Sequence, residues 1–551
     1  MKKSVVLSLL IFALLSISSF FVSCDSDPII DAPITTAPIT EAATIVPTVT
    51  DFVSTEAITT AHEHTPGAEA TCTTAQICTV CGAELAPAIG HTSGAAATCT
   101  DPQTCTVCEV VLTDALGHDY ENDVCPGCGQ TEPCYHLEFQ SNGDGTCFLT
   151  GRGECLHTEI IIPVVNREGE IVISINEKAF SECKAITKIT FEKGSQVNTI
   201  KDKAFEMCLS LESVEIPGCV ENFGEAVFSG CENLTSVAFA DGCRLANIQD
   251  SCFSDCKHLT EIVLPEGLIS IGASAFSGTG LTHIDLPTNL TAIGSLAFFN
   301  TNITTIQIPS GVKSIDSYTF CSCDNLETVK LHASTTTIGD SAFSDCVNLT
   351  HIELPEKLVY IGEKAFANCD KLQSIHIPSG VTTIKGGAFS YCDQLEEVTF
   401  AQGINLKTVE TEMFSNCTNL KQIEIPASVI TIERESFYWC SSLKHVYFEE
   451  GSQLTTIVGG SMFTSQGVFQ ECGQLEKIEL PESVTTIGYG TFCLCRDLVS
   501  ITLHANTVLN YENWFNAAYA LQEIFVPAEL VDDYKSADSW QYYADIIKPI
   551  A

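Results

Sequence analysis

Apolar positions recur along most of the chain in one phrase. It reads Ile-x-x-x-Ala-Phe-x-x-Cys, then Leu-x-x-Ile-x-Leu, often closed by Pro. Its Phe marks are Phe180, Phe205, Phe228, Phe253, Phe276, Phe298, Phe320, Phe343, Phe366, Phe389, Phe414, Phe437, Phe469, Phe492 and Phe515. Most spacings are 22, 23 or 25 residues; the exception is 32, between Phe437 and Phe469, where residues 459–467 read as an inserted loop. The segment Leu349-Thr-His-Ile352-Glu-Leu354 alternates as a strand with one buried face should. Pro355 ends it, because proline cannot donate to a strand ladder. A second apolar stretch follows, as in Val381-Thr-Thr-Ile384, and the Ala-Phe pair plugs the core at the return turn. One such unit cannot bury its own apolar face, so neighbours must stack into a continuous core. Strands about 4.8 Å apart would then form a parallel sheet roughly 70 Å long.

A period of about 20–29 residues with this Leu spacing indicates a leucine-rich repeat solenoid. The expected fold is β-rich, with one parallel strand per repeat of about 23 residues, preceded by small Cys/His-rich units. Twelve repeats carry Cys three residues after the Phe, among them Cys183, Cys208, Cys346, Cys392 and Cys495. Thr279 and Thr301 take that place in two others. Thr can neither cross-link nor offer a thiolate, so the column reads as packing by small hydrophobes.

In each strand, the residues flanking the central Ile or Val point outward. Those positions vary, as in Glu261/Val263, Thr305/Gln307 and Gln422/Glu424, while the buried ones stay Leu, Ile or Val. The candidate ligand-binding residues on this expected concave face are His283, Asp285, His351, Glu353, His376, Glu397, Glu424, His445 and Tyr447. A varied polar ladder suits a protein or glycan ligand.

The unit resembles the BspA-like leucine-rich repeats of bacterial surface proteins, over residues 170–526. The stretch from Asp144-Gly-Thr-Cys147 to Pro163 is similar to the start cap of such arrays; Val526-Pro527 with Tyr534, Lys535, Ala537 and Trp540 is similar to their end cap. The resemblance implies an exported protein that adheres to a host or other surface, with a host or microbial surface protein or glycan as partner. The alternative is a carbohydrate-binding or accessory module of a surface polysaccharide-processing system.

Before the array the pattern changes. Lys2 and Lys3 precede an apolar run over residues 5–15, too short to span a bilayer and of signal-peptide length. Phe21-Val22-Ser23-Cys24 follows and resembles the lipobox of bacterial lipoproteins, which implies lipidation at Cys24. The expected localisation is therefore the cell surface, lipid-anchored to a bacterial membrane. The domain reading is 1–23 signal peptide, 24–61 lipid-anchor site and low-complexity spacer, 62–136 Cys/His units, 137–169 N-terminal cap, 170–526 solenoid and 527–551 C-terminal cap.

Two Cys/His units superpose with a period of 27. His64, Cys72, Cys78 and Cys81 map to His91, Cys99, Cys105 and Cys108; a shortened third keeps His118, Cys125 and Cys128, with Cys134 or His136 to complete it. One His and three Cys, two as Cys-x-x-Cys, match a tetrahedral zinc set. Disulfides are the rival in an exported chain, although three cysteines per unit leave one over. No cofactor is expected for the array.

Charge and motif searches narrow the function. Lys plus Arg is 26 against 69 Asp plus Glu, a net charge of −43. Nucleic acid, which is held through clustered Lys and Arg, is excluded as a partner, and the lipid anchor is the only expected membrane contact. No His-Glu-x-x-His, phosphate loop or Gly-x-Ser-x-Gly occurs. Ser181-x-x-Lys184 and Ser254-x-x-Lys257 share a repeat position and are products of the repeat. Asn233, Asn289 and Asn348 each begin Asn-Leu-Thr, the form of a glycosylation acceptor. No clustered acid–base set is found, and the chain is not expected to be an enzyme.

Overall fold

The computed structural model describes residues 136–460 and 467–551 throughout, with scattered residues between 66 and 113. Two compact units divide the chain, one holding residues up to 96 with 103–112, the other holding the array. In the Cys/His-rich stretch, Gln76–Ile77 pairs antiparallel with Glu84–Ala86. Gln103–Thr104 pairs with Val111–Thr113, the same arrangement one 27-residue period later.

The array is a parallel β-solenoid. Most coils contribute a longer strand such as Ser374–Ile377, Glu397–Phe400, Gln422–Ile425 or His445–Phe448, and these four stack in order as one sheet. Alternation decides what they bury: Ile375, Val398, Ile423 and Val446 face the core, and their neighbours face out. Pro then stops the pairing. Its carbonyl accepts from the residue three further on, as Pro378 does from Val381 at 3.1 Å, and this turn starts the second apolar stretch.

That second stretch is itself a strand. Thr408–Val409, Thr431–Ile432, Thr456–Ile457 and Thr486–Ile487 stack in register as a second parallel sheet. The expectation of one strand per repeat therefore undercounts. The two residues of each short strand alternate too, with Val409, Ile432 and Ile457 fully buried and Thr outside, and a β-branched pair fits that half-buried surface.

The return turn makes a third ladder. Ser341, Phe343 and Asp345 donate their N–H groups to the carbonyls of Glu363, Ala365 and Ala367 in the next coil, at 2.7–2.8 Å. Ser341 and Asp345, two residues either side of the Phe, have φ of +51° and +60°. The same two places are left-handed in nearly every coil, as Lys178 and Glu182 or Glu435 and Trp439 show. A left-handed non-glycine residue costs roughly 1–2 kcal/mol. The ladder and the Phe column offset this: fifteen rings from Phe180 to Phe515 stack in sequence with centroids 5.2–5.9 Å apart. Full burial of one such side chain contributes about 1.5–3 kcal/mol.

The array begins with a hairpin of Glu138–Ser141 and Thr146–Gly151 at the edge of the short-strand sheet. It ends with a short helix, Val531–Ser536, and a last strand, Ile547–Pro549, laid beside Glu523–Val526. Trp540 is buried there and donates to the Leu509 carbonyl at 2.7 Å.

Candidate ligand-binding face

Register places the outward residues of the long strands in two columns. Thr305, Thr328 and His351 stand side by side in the first, as do Ser374, Glu397, Gln422 and His445. Gln307 with Lys330, His376 with Thr399, and Glu424 with Tyr447 stand in the second. The candidate residues are exposed, except that His445 is half-buried. Thr328 and Lys330 belong to the same columns and were passed over, although Leu326-Glu-Thr-Val329-Lys-Leu331 shows the same alternation.

Local contacts hold several of these side chains. His283 Nε2 lies 3.2 Å from Asp285, and His351 Nε2 lies 3.8 Å from Glu353, each pair two residues apart in one coil. His376 Nδ1 is 2.9 Å from the hydroxyl of Thr399 in the next coil. The His445 and Tyr447 rings stack at 5.8 Å. His504 Nε2 meets Glu479 at 2.6 Å and extends the polar face toward the C-terminal end. All are solvent-facing pairs, worth at most about 1 kcal/mol each.

Grooves run along this face, and three of them meet candidate residues. One of about 290 Å³ is lined by Glu397, Glu424 and Tyr447. A second, about 630 Å³, holds His283, Asp285, Gln307 and Lys330; a third, about 880 Å³, is lined by Glu261, Val263, His283 and Asp285. His351, Glu353, His376 and His445 line none of these three. Around the largest groove, residues 261–264 and 283–286 keep the alternating burial but form no regular strand. The long-strand sheet is thus interrupted where His283 and Asp285 stand.

The cysteine column is buried and unbridged, with Cys183 half-buried. Packing is only part of its role. Eleven of the twelve thiols donate to the Phe carbonyl of the preceding coil, as Cys346 does to Phe320 at 3.1 Å. Thr279 and Thr301 turn instead to their own coil's Phe carbonyl, at 2.8 and 3.0 Å, in coils one residue shorter after that point. The Asn233, Asn289 and Asn348 amides donate to carbonyls of the preceding coil, so each of these residues ties two coils together.

Cys24 and the whole metal set, His64, Cys72, Cys78, Cys81, His91, Cys99, Cys105, Cys108, His118, Cys125 and Cys128, lie outside the described residues. His136 is described, and its ring lies 2.8 Å from Arg167. Among the described residues no group of three His, Cys, Asp or Glu is placed to hold a metal, and no helix is long and apolar enough to cross a membrane.

The model of the BspA type leucine-rich repeat region matches residues 154–257, 246–373, 359–468 and 462–537, well over half the chain. The chain belongs to the BspA-type leucine-rich repeat family. Among solved structures, this BspA-type chain is similar to a leucine-rich repeat protein from Bacteroides ovatus. The two are 24% identical, the match covers 76% of this chain and 98% of the other, and the TM-score is 0.56. That likeness shows the fold alone. A leucine rich cell surface protein from Faecalibacterium prausnitzii is 25% identical over 57% of this chain and 93% of its own, at TM-score 0.34. The T. pallidum leucine rich repeat protein is 25% identical over 44% and 90%, at TM-score 0.30. No curated protein matches.

Proposed function

We propose that this BspA-type chain is exported, anchored by a lipid at Cys24, and binds a host or microbial surface protein or glycan through the outward face of its long strands. The observation that supports this reading is a division of labour within each strand. Buried residues stay Leu, Ile or Val with at most 7% exposure, while the outward columns change chemistry from coil to coil. Solvated strand positions with no ligand need only be polar. Here they carry His, Glu, Tyr and Lys beside three grooves.

The test is an adhesion assay on an array of matrix proteins and glycans. Replacing His351, Glu353, His376 and Glu397 together by Ser should weaken attachment at unchanged thermal stability, since surface substitutions shift stability by about 0.5 kcal/mol or less. Undiminished attachment of the quadruple variant would move the binding face elsewhere.

A further inference from the structure

Tyr391 and Trp439 occupy the same place in their coils, two residues after the ring of the Phe column, with Asn416 in the coil between them. They stand on the return-turn edge, two coil steps apart, and the adjoining Phe rings measure those steps as 5.6 and 5.5 Å. Both are large and half exposed, at 46% and 47%. Both are also left-handed, with φ of +60° and +59°.

At this position other coils carry Gly230, Gly278, Asn300, Asn368 and Asn416, which tolerate a left-handed backbone, but also Glu182, Met207, Glu471 and Leu494, so the inter-coil ladder sets the backbone there. What sets Tyr391 and Trp439 apart from the other coils is a half-exposed aromatic ring at that place. Half-exposed rings gain little through burial, so core packing does not account for them.

We propose that Tyr391 and Trp439 form a stacking platform for a neutral oligosaccharide, separate from the long-strand face. Apolar faces of pyranose rings lie on aromatic rings, and an extended glycan advances by about one coil per sugar, so alternate sugars meet Tyr391 and Trp439. Asn416 lies in the coil between them; its amide donates to the Ser415 hydroxyl at 3.0 Å, which leaves its second N–H and its carbonyl oxygen for sugar hydroxyls. Tyr438 packs edge-on against Trp439 at 5.8 Å. Burial raises its phenol above the ordinary range, as do Glu471 and Glu435, so the hydroxyl stays a donor. The neighbouring carboxylates set the charge preference. Glu471 is already paired with Arg496 at 3.0 Å, while burial and the neighbouring Glu412 hold the Glu435 carboxyl above its ordinary range. They serve as hydroxyl acceptors that repel uronate or sulfated chains, rather than as an unpaired anionic pocket for lysine.

The chain has three tryptophans, and Trp514 and Trp540 are fully buried, so Trp439 is the one a soluble quencher reaches. The experiment titrates the whole chain with laminarin, xylan, mannan, starch, polygalacturonate and polylysine, and follows emission and acrylamide quenching. At least one neutral polysaccharide should shift the Trp439 emission and shield it. Tyr391→Asn should weaken that binding about tenfold, the loss expected for one stacked ring. Trp439→Asn should abolish retention of the chain in a gel containing the same polysaccharide. Asn suits the backbone at both positions, so each variant should unfold at or above the wild-type temperature. The proposal is overturned if no neutral polysaccharide is bound, if polylysine or polygalacturonate alone gives the shift, or if both variants bind as the wild type does. Because the long-strand columns stay intact throughout, failure here leaves the adhesion reading untouched.

Discussion

The Cys392 thiol donates to the carbonyl of Phe366 in the preceding coil, at 3.2 Å. One buried atom thus joins a core plug to its neighbour. The Phe366 carbonyl also accepts from the Cys369 N–H at 3.4 Å, so removing the thiol does not orphan it. Cys392→Ala should therefore destabilise the array by a lost weak hydrogen bond and a small cavity, about 1–2 kcal/mol together. Solenoids open locally, so the loss should appear as faster hydrogen exchange in residues 366–414, with the distant coil around Phe492 unchanged. Equal acceleration across the array would contradict a local tie.

The same thiols make stability depend on alkaline pH. Burial pushes Cys392 and Cys440 up from the ordinary 9.0 to about 12. Between those values the folded chain keeps protons that the unfolded chain has lost. Their contribution is fully present below pH 9 and falls as pH rises toward 12. The slope is about 1.4 kcal/mol per pH unit for each thiol. Urea unfolding at pH 8, 9, 10 and 11 should show the decline, and the double variant Cys392→Ala/Cys440→Ala should decline less steeply. Parallel curves would assign the effect to other groups, such as the buried Tyr511 and Tyr534.

Much of this architecture was legible because a repeat averages its own noise. Fifteen copies of the Phe mark, seven of them preceded by Ala, made the core column visible, and alternation around Ile352 or Ile375 identified the outward residues. The short strands were harder. Thr431–Ile432 is two residues long, too short for a period to declare itself, and it pairs only because stacking has already aligned it. The left-handed positions carried no uniform residue type: Lys364, Glu435 and Tyr391 adopt positive φ in company with Asn368 and Gly387. Inter-coil bonds force that backbone against local preference. The thiol donors were hidden for a related reason, since a Phe carbonyl becomes free to accept only through the return-turn geometry. Ligand identity leaves no comparable mark, because the outward columns are free to vary.

Lipid anchoring rests on Phe21-Val22-Ser23-Cys24 behind a short apolar run. A single acyl chain binds membranes marginally, whereas two anchor stably, so loss of the proposed diacyl anchor at Cys24 should be conspicuous. Cys24→Ser should shift the protein from the membrane fraction to the soluble fraction, and labelling with a fatty-acid probe should mark the wild type alone. A mutant labelled as strongly as the wild type would leave Cys24 as an incidental cysteine behind an ordinary signal peptide.

The last prediction concerns residues 62–136. Each full unit offers one His and three Cys, such as His64 with Cys72, Cys78 and Cys81, at the same spacing as His91 with Cys99, Cys105 and Cys108. The strand pairs at Gln76–Ile77/Glu84–Ala86 and Gln103–Thr104/Val111–Thr113 repeat at that spacing as well. Units this small carry too little apolar matter to fold without a metal or cross-links. Disulfide pairing within a unit leaves one Cys over and gives the recurrent His no role, whereas zinc uses all four. The chain purified under reducing conditions should therefore hold about two to three zinc ions, as one per unit requires. Cys78→Ser should lower that count by about one, and so should Cys105→Ser. The array should not contribute, because burial raises thiols such as Cys346 and Cys417 far above the range in which they bind metal as thiolates. Zinc-free protein whose Cys/His-unit thiols are all oxidised in the native state would decide for disulfides instead.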